Sequence, residues 1–150
     1  MNALPLELPD TSGGGLLAAG TLERTYEPWP PGKGKPYTLY VVGSWNDNVP
    51  TPMQWDSGIF SCSITLGAGA MEIFQLILNK DWDQTFYPSI PDATMTDEYE
   101  VMGPDAESDG RSWLIGSPDG TVGKPGDTID IVVSVDSKAR LANVEWHLSF

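Results

Sequence analysis

Hydrophobic and polar residues alternate along several stretches of this chain. From Ile59 to Leu66, Phe60, Cys62, Ile64 and Leu66 fall on one side, and Ser61, Ser63 and Thr65 on the other. A two-residue period of this kind predicts a β-strand with one buried face. Ile129, Ile131, Val133 and Val135 mark the inward face of another strand. Val144, Trp146, Leu148 and Phe150 alternate with Glu145, His147 and Ser149 in a last one. Tyr37 to Val42 is rich in β-formers, and Trp113-Leu114-Ile115 reads as a short strand. Glu72 to Leu78 is apolar on both faces, the pattern of a central strand covered on both sides.

Breaks in the pattern supply the turns. Gly43 to Asn48 ends the first strand, and Gly67-Ala68-Gly69-Ala70 reads as a hairpin turn. Lys124 to Asp127 and Asp136 to Lys138 turn the chain again. Residues 79–112 read as a long loop, with one helical turn near Met95 to Tyr99. Loops of that length are uncommon in compact domains and often carry function. Residues 1–35 hold Gly13-Gly14-Gly15 and then Pro28, Pro30 and Pro31, which predicts a flexible N-terminal arm. Within it, Leu16, Leu17 and Leu22 are candidates for docking on the domain or on a partner. The packed domain is therefore expected over 36–150. Six or seven short strands joined by tight turns predict an all-β, antiparallel β-sandwich with a long acidic loop at 92–110.

Charge narrows the partners. The net charge is −13, and the 8 Lys and Arg are dispersed. Nucleic-acid binding requires clustered cations to neutralise phosphates, and an anionic membrane repels such a surface. Both partners are excluded at this level, as is membrane insertion, because no apolar run approaches roughly 20 residues. Cys62 is the single cysteine, which suits a reducing compartment, and the N-terminus lacks the basic and apolar runs of a secretory signal. A soluble, intracellular protein is expected.

Candidate chemistry is sparse. His147 is the single histidine and falls on the polar face of the last strand. One histidine makes a zinc site or a Ser-His-Asp triad hard to assemble. Cys62 sits on the apolar face of its strand, where burial raises a thiol's pKa and lowers its reactivity. Asp105 to Gly110 imitates the start of an EF-hand loop, but Gly116 stands where a bidentate glutamate is required. Residues 81–109 carry nine carboxylates and no Lys or Arg, yet no spacing picks out a glycosidase pair. A solvated acidic face is the simpler reading. No catalytic residue, metal site or cofactor is expected.

Tryptophan says more. Of the six, Trp146 alternates with core positions, whereas Trp45 and Trp82 sit in polar loops. Trp45 is followed by Asn46, Asp47 and Asn48, and Trp82 is flanked by Asn79, Lys80, Asp81, Asp83 and Gln84. Such an indole either caps an end of the sandwich or meets a ligand. The flat C–H face of a sugar ring fits an indole, with amide and carboxylate groups bonding its hydroxyls.

Val41-Val42-Gly43-Ser44-Trp45-Asn46, the alternating strand Ile59 to Leu66 with its glycine turn, Phe74-Gln75-Leu76-Ile77-Leu78, and Asp81-Trp82 with Tyr87-Pro88-Ser89 together resemble the starch- and glycogen-binding modules. These are the immunoglobulin-like modules of amylolytic enzymes and of the AMP-activated kinase β subunit. The resemblance covers about residues 37–91. It implies an immunoglobulin-like sandwich whose sugar-stacking residues are Trp45 and Trp82, with Asn46, Asn79 and Asp81 as hydrogen-bonding candidates. Ile77 stands near the position of the family's binding lysine. Two functions follow: a non-catalytic module binding α-glucan, or an accessory domain with the same sandwich that binds a protein partner.

Overall fold

The computed structural model describes residues 17–18, 21–22, 27–116 and 123–149. Phe150, residues 117–122, most of 1–26 and the side chains of Leu16, Leu17 and Leu22 lie outside the described residues. Every strand runs antiparallel to its sheet neighbours. A short pair joins β1 (Leu17–Ala18) to β2 (Thr21–Leu22). The rest form two sheets.

The larger sheet holds β3 (Leu39–Gly43), β4 (Thr51–Pro52), β7 (Glu72–Leu78), β8 (Asp81–Pro88), β9 (Val101–Asp105) and β10 (Trp113–Ile115). Its order is β9-β8-β7-β3-β4. β8 and β10 share one edge of β7 end to end, with Leu76 opposite Phe86 and Phe74 opposite Trp113. The smaller sheet runs β12 (Leu141–Leu148), β11 (Thr128–Val135), β6 (Ile59–Thr65), β5 (Gln54–Asp56).

One buried cluster draws on both sheets. Leu39, Val41, Phe74 and Leu76 from the larger sheet meet Phe60, Ile64, Ile129, Ile131, Val133, Val144 and Trp146 from the smaller one. Phe74 and Trp146 make an edge-on contact at 5.6 Å between ring centres. The alternation read from β6, β11 and β12 therefore does select the inward face. β7 is covered on both faces only near its end: Ile77 faces away from Phe74 and Leu76 and is fully buried, whereas Ile73 on that same face is exposed.

Four expectations need correction. Residues 79–112 are not a loop, because β8 and β9 both lie within them. Asn79 and Lys80 take φ of 49° and 63°, which makes a two-residue hairpin turn of the type whose twist suits paired strands. The long acidic loop is likewise interrupted by β9. Near Met95 the chain makes a turn, with the Asp97 amide bonded to the Thr94 carbonyl, and no helix. Finally, Gly67 to Ala70 does not close a hairpin. β6 and β7 belong to different sheets, and the turn carries the chain across the end of the core between buried Leu66 and Ala70.

Of the segment 1–35, residues 27–35 are described. Trp29 is buried in the core and meets Trp55 edge-on at 5.9 Å. Pro28 bridges to Asp136, and the Ser137 amide donates to the Glu27 carbonyl. Packing of the domain thus begins before residue 36.

Candidate functional site

The turns that carry the two candidate tryptophans lie at opposite ends of β3 and β7, and the two indoles lie on opposite faces of the sheet. Gly43 pairs with Phe74 at one end, and Leu39 with Leu78 at the other. Four residues of strand, about 13 Å, separate these pairs. Trp45 lies in a single 3₁₀ turn, Ser44–Asn46, just past Gly43. Its ring folds back over that glycine, so closely that a Cβ there would lie 2.2 Å from the indole. It also tilts against Phe74 at 6.3 Å, on the core side of the sheet. Trp45 is a cap on the core.

Trp82 is different. It lies in the irregular start of β8, between the pairs Leu78–Asp81 and Ile77–Thr85. It is 51% exposed, and it is the one tryptophan exposed among those described. It borders a depression of about 160 Å³, lined also by Val42, Asn48, Ile73, Phe74, Gln75 and Ser112. Strand alternation puts Val42, Ile73 and Gln75 on the face opposite Phe74 and Leu76. Trp82 thus belongs to the outer face of the larger sheet.

The polar candidates brace turns. Asn46 Nδ2 donates to the Val49 carbonyl at 3.3 Å and to Thr51 Oγ1 at 3.1 Å, while its Oδ1 is buried without a hydrogen-bond partner. Asn79 Oδ1 accepts from the Thr38 amide at 3.2 Å. Asp81 Oδ2 accepts from Gln84 Nε2 and its Oδ1 from the Asp83 amide, both at 2.9 Å. These bonds, that of Gln84 first, hold its carboxyl below the usual carboxylate range. Asn79, Asp81 and Trp82 therefore gather at one turn, and Trp45 with Asn46 at the other. Missed by sequence reasoning were Ile73, Gln75 and Ser112. Alternation along β7 marks the first two as outward-facing; Ser112 reaches the site through the fold alone.

The loop 105–112 completes this outer face. Gln75 Nε2 donates to the Ser108 and Arg111 carbonyls at 3.2 and 2.6 Å. The Arg111 guanidinium stacks over the Tyr87 ring at 4.6 Å and donates to the Glu107 carbonyl. The Tyr87 hydroxyl bonds Asp105 Oδ2 at 3.2 Å, and Asp105 Oδ1 accepts from the Glu107 amide. The first acid of the EF-hand-like run is thereby turned onto the sheet. Among the described residues, no group of three or more His, Cys, Asp or Glu is placed to hold a metal ion.

The smaller sheet presents its own polar outer face. Asp130 accepts from Ser63 Oγ at 2.5 Å, and its other oxygen lies 3.8 Å from His147 Nε2. The carboxylate stands between hydroxyl and imidazole, so the histidine is not positioned to take the serine's proton. Burial, and then the charge of Asp130, push the Cys62 thiol up to about 12. At neutral pH it is a protonated, weakly nucleophilic group. Ellman's reagent at pH 8 is therefore expected to modify the folded protein much more slowly than the urea-unfolded protein. The raised value also makes the thiol's contribution to stability complete below its usual 9.0 and lost as pH rises through about 12. Cys62→Ala should flatten the alkaline stability profile over that window.

Set beside family models, curated proteins and solved structures, the chain matches none of them.

Proposed function

We propose that this chain is a non-catalytic interaction module, an accessory domain of a larger assembly, built on an immunoglobulin-like β-sandwich. The observation that carries the reading is the separation of the two loop indoles. A glucan module of the kind the sequence resembles stacks sugar on both, which requires them on one surface. Here Trp45 covers Phe74 at the core edge, and Trp82 stands on the outer face of the larger sheet. Ile77, near the position of the family's lysine, is buried. Asn46 bonds Val49 and Thr51 just beyond its turn, and Asn79 accepts from the Thr38 amide beside the start of β3.

The sandwich arrangement is supported by two antiparallel sheets contributing to one core. The non-catalytic reading is supported by the protonated Cys62 thiol and by the order of Ser63, Asp130 and His147. No helix among the described residues is long and apolar enough to cross a membrane. A single free thiol suits an intracellular setting.

Titration with maltoheptaose or β-cyclodextrin, followed by tryptophan fluorescence, is expected to give no saturable change up to millimolar sugar. A saturable change that disappears in Trp82→Ala would overturn the proposal in favour of α-glucan binding.

A further inference from the structure

The outer face of the larger sheet concentrates apolar surface that the core does not use. The exposed large hydrophobic residues among those described are Val49, Ile59, Ile73 and Trp82. Ile73 and Trp82 line the 160 Å³ depression, and Val49 follows Asn48, which lines it too. Val49 lies in the segment that precedes β4, and Ile59 belongs to the other sheet. Beneath this patch Val42, Ile77, Thr85 and Tyr87 are buried although they stand outside the main core cluster. The hollow has a mixed lining: Trp82, Ile73 and Val42 supply apolar surface, and Asn48, Gln75 and Ser112 supply polar groups.

The residues next in sequence to this lining, or to Ser108 bonded to it, include five acids. Asp81 and Asp83 flank Trp82, and Asp47 precedes Asn48. Glu107 and Asp109 sit on either side of Ser108, whose carbonyl holds Gln75 in the hollow's wall. All five are exposed. The cations nearby lie against aromatic rings: Arg111 over Tyr87 at 4.6 Å and Lys80 over Tyr40 at 5.7 Å. Two exposed apolar side chains, Ile73 and Trp82, among exposed carboxylates are complementary to a segment of opposite charge that carries an apolar anchor. Exposed charges steer such an encounter, and the buried anchor holds it. The chain's net charge of −13 adds a long-range pull on a cationic partner.

We propose that the outer face around Trp82, Ile73 and Gln75 docks a cationic segment of a partner protein, one apolar side chain of that segment filling the hollow. This rests on the interaction-module reading and names its surface and the partner's chemistry.

The test uses the full chain and a labelled peptide of alternating Lys and Arg around one central Phe, read by fluorescence anisotropy at low and physiological salt. Saturable binding is expected, with affinity falling as salt rises. Trp82→Ala should weaken it about tenfold or more, the effect of losing an aromatic anchor. Replacing the peptide's Phe with Ala should weaken it comparably. The double variant Asp81→Asn, Asp83→Asn should weaken binding and its salt dependence, whereas Asp56→Asn on the smaller sheet should leave both unchanged. Binding insensitive to Trp82→Ala, or equally sensitive to Asp56→Asn, would show general charge attraction and overturn the proposal. No peptide binding, with no response to maltoheptaose, overturns this surface and leaves the interaction reading standing. Saturable maltoheptaose binding lost in Trp82→Ala overturns both.

Discussion

Replacing Trp113 with alanine is expected to lower the free energy of unfolding by about 3–5 kcal/mol, the range for removing a large buried aromatic. Trp113 is fully buried and stacks on Phe74 at 5.3 Å between ring centres. It fills the space where β10 meets the end of β7. Its indole nitrogen donates to the Tyr99 hydroxyl at 2.7 Å, a bond between two buried groups. Alanine leaves a cavity and removes the donor together. Trp113→Phe keeps a six-membered ring but leaves a smaller cavity and loses the donor, so it should cost less than alanine, about 1–3 kcal/mol. Urea unfolding should show a lower midpoint for both variants with an unchanged slope. A domain of this size has about 5–15 kcal/mol to lose. An alanine variant as stable as the parent would mean that β10 does not belong to the core.

The second large effect is expected at Asp136. This carboxylate is almost fully buried, and three donors converge on it. Its Oδ1 accepts from the Lys138 and Arg140 amides, at 2.9 and 3.0 Å, and its Oδ2 from Arg140 Nε at 3.0 Å. The turn between β11 and β12 is therefore organised around one side chain. The same residue bridges to Pro28, so the turn also anchors the segment that brings Trp29 into the core. Asp136→Ala should cost about 2–3 kcal/mol, because two amides lose their acceptor in a partly buried place. The guanidinium of Arg140 adds little to this figure, since its side chain is more than half exposed and water replaces the carboxylate. Asp136→Asn retains an acceptor oxygen and should fall between the two. Thermal unfolding compared across the three proteins checks the order. Equal loss in Ala and Asn would locate the effect in the charge and not in the amides.

The strands that sequence reasoning finds are those with one buried face and a regular alternation. β6, β11 and β12 satisfy that condition, and β7 declares itself by being apolar on both sides. β8 escapes because it starts with Asp81-Trp82-Asp83 in an irregular pairing, and because its turn contains no glycine. Asn79 and Lys80 adopt positive φ regardless, held by the pairing of β7 with β8. β9 carries Gly103 and Pro104, residues that ordinarily mark a loop, yet it pairs with β8 at Val101, Met102 and Asp105. Exposure of Trp82 is legible from its acidic neighbours. The packing of half-buried Trp45 against the core is not, although its neighbours are equally polar. What decides it is the hydrogen at Gly43 in place of a side chain, which leaves room for the ring two residues later. Local polarity cannot separate the two cases, because the separation depends on where each turn delivers its side chain.

The passage from β4 to β5 has a mechanical meaning. Thr51–Pro52 pairs with β3 in one sheet and Gln54–Asp56 with β6 in the other, and buried Met53 is the only residue between them. Its amide is tied to the Leu39 carbonyl at 2.9 Å. A chain that changes sheets within a single residue leaves no slack for one layer to peel from the other. The two layers should thus lose protection from amide exchange together, and the molecule should melt as a single cooperative unit with no stable half.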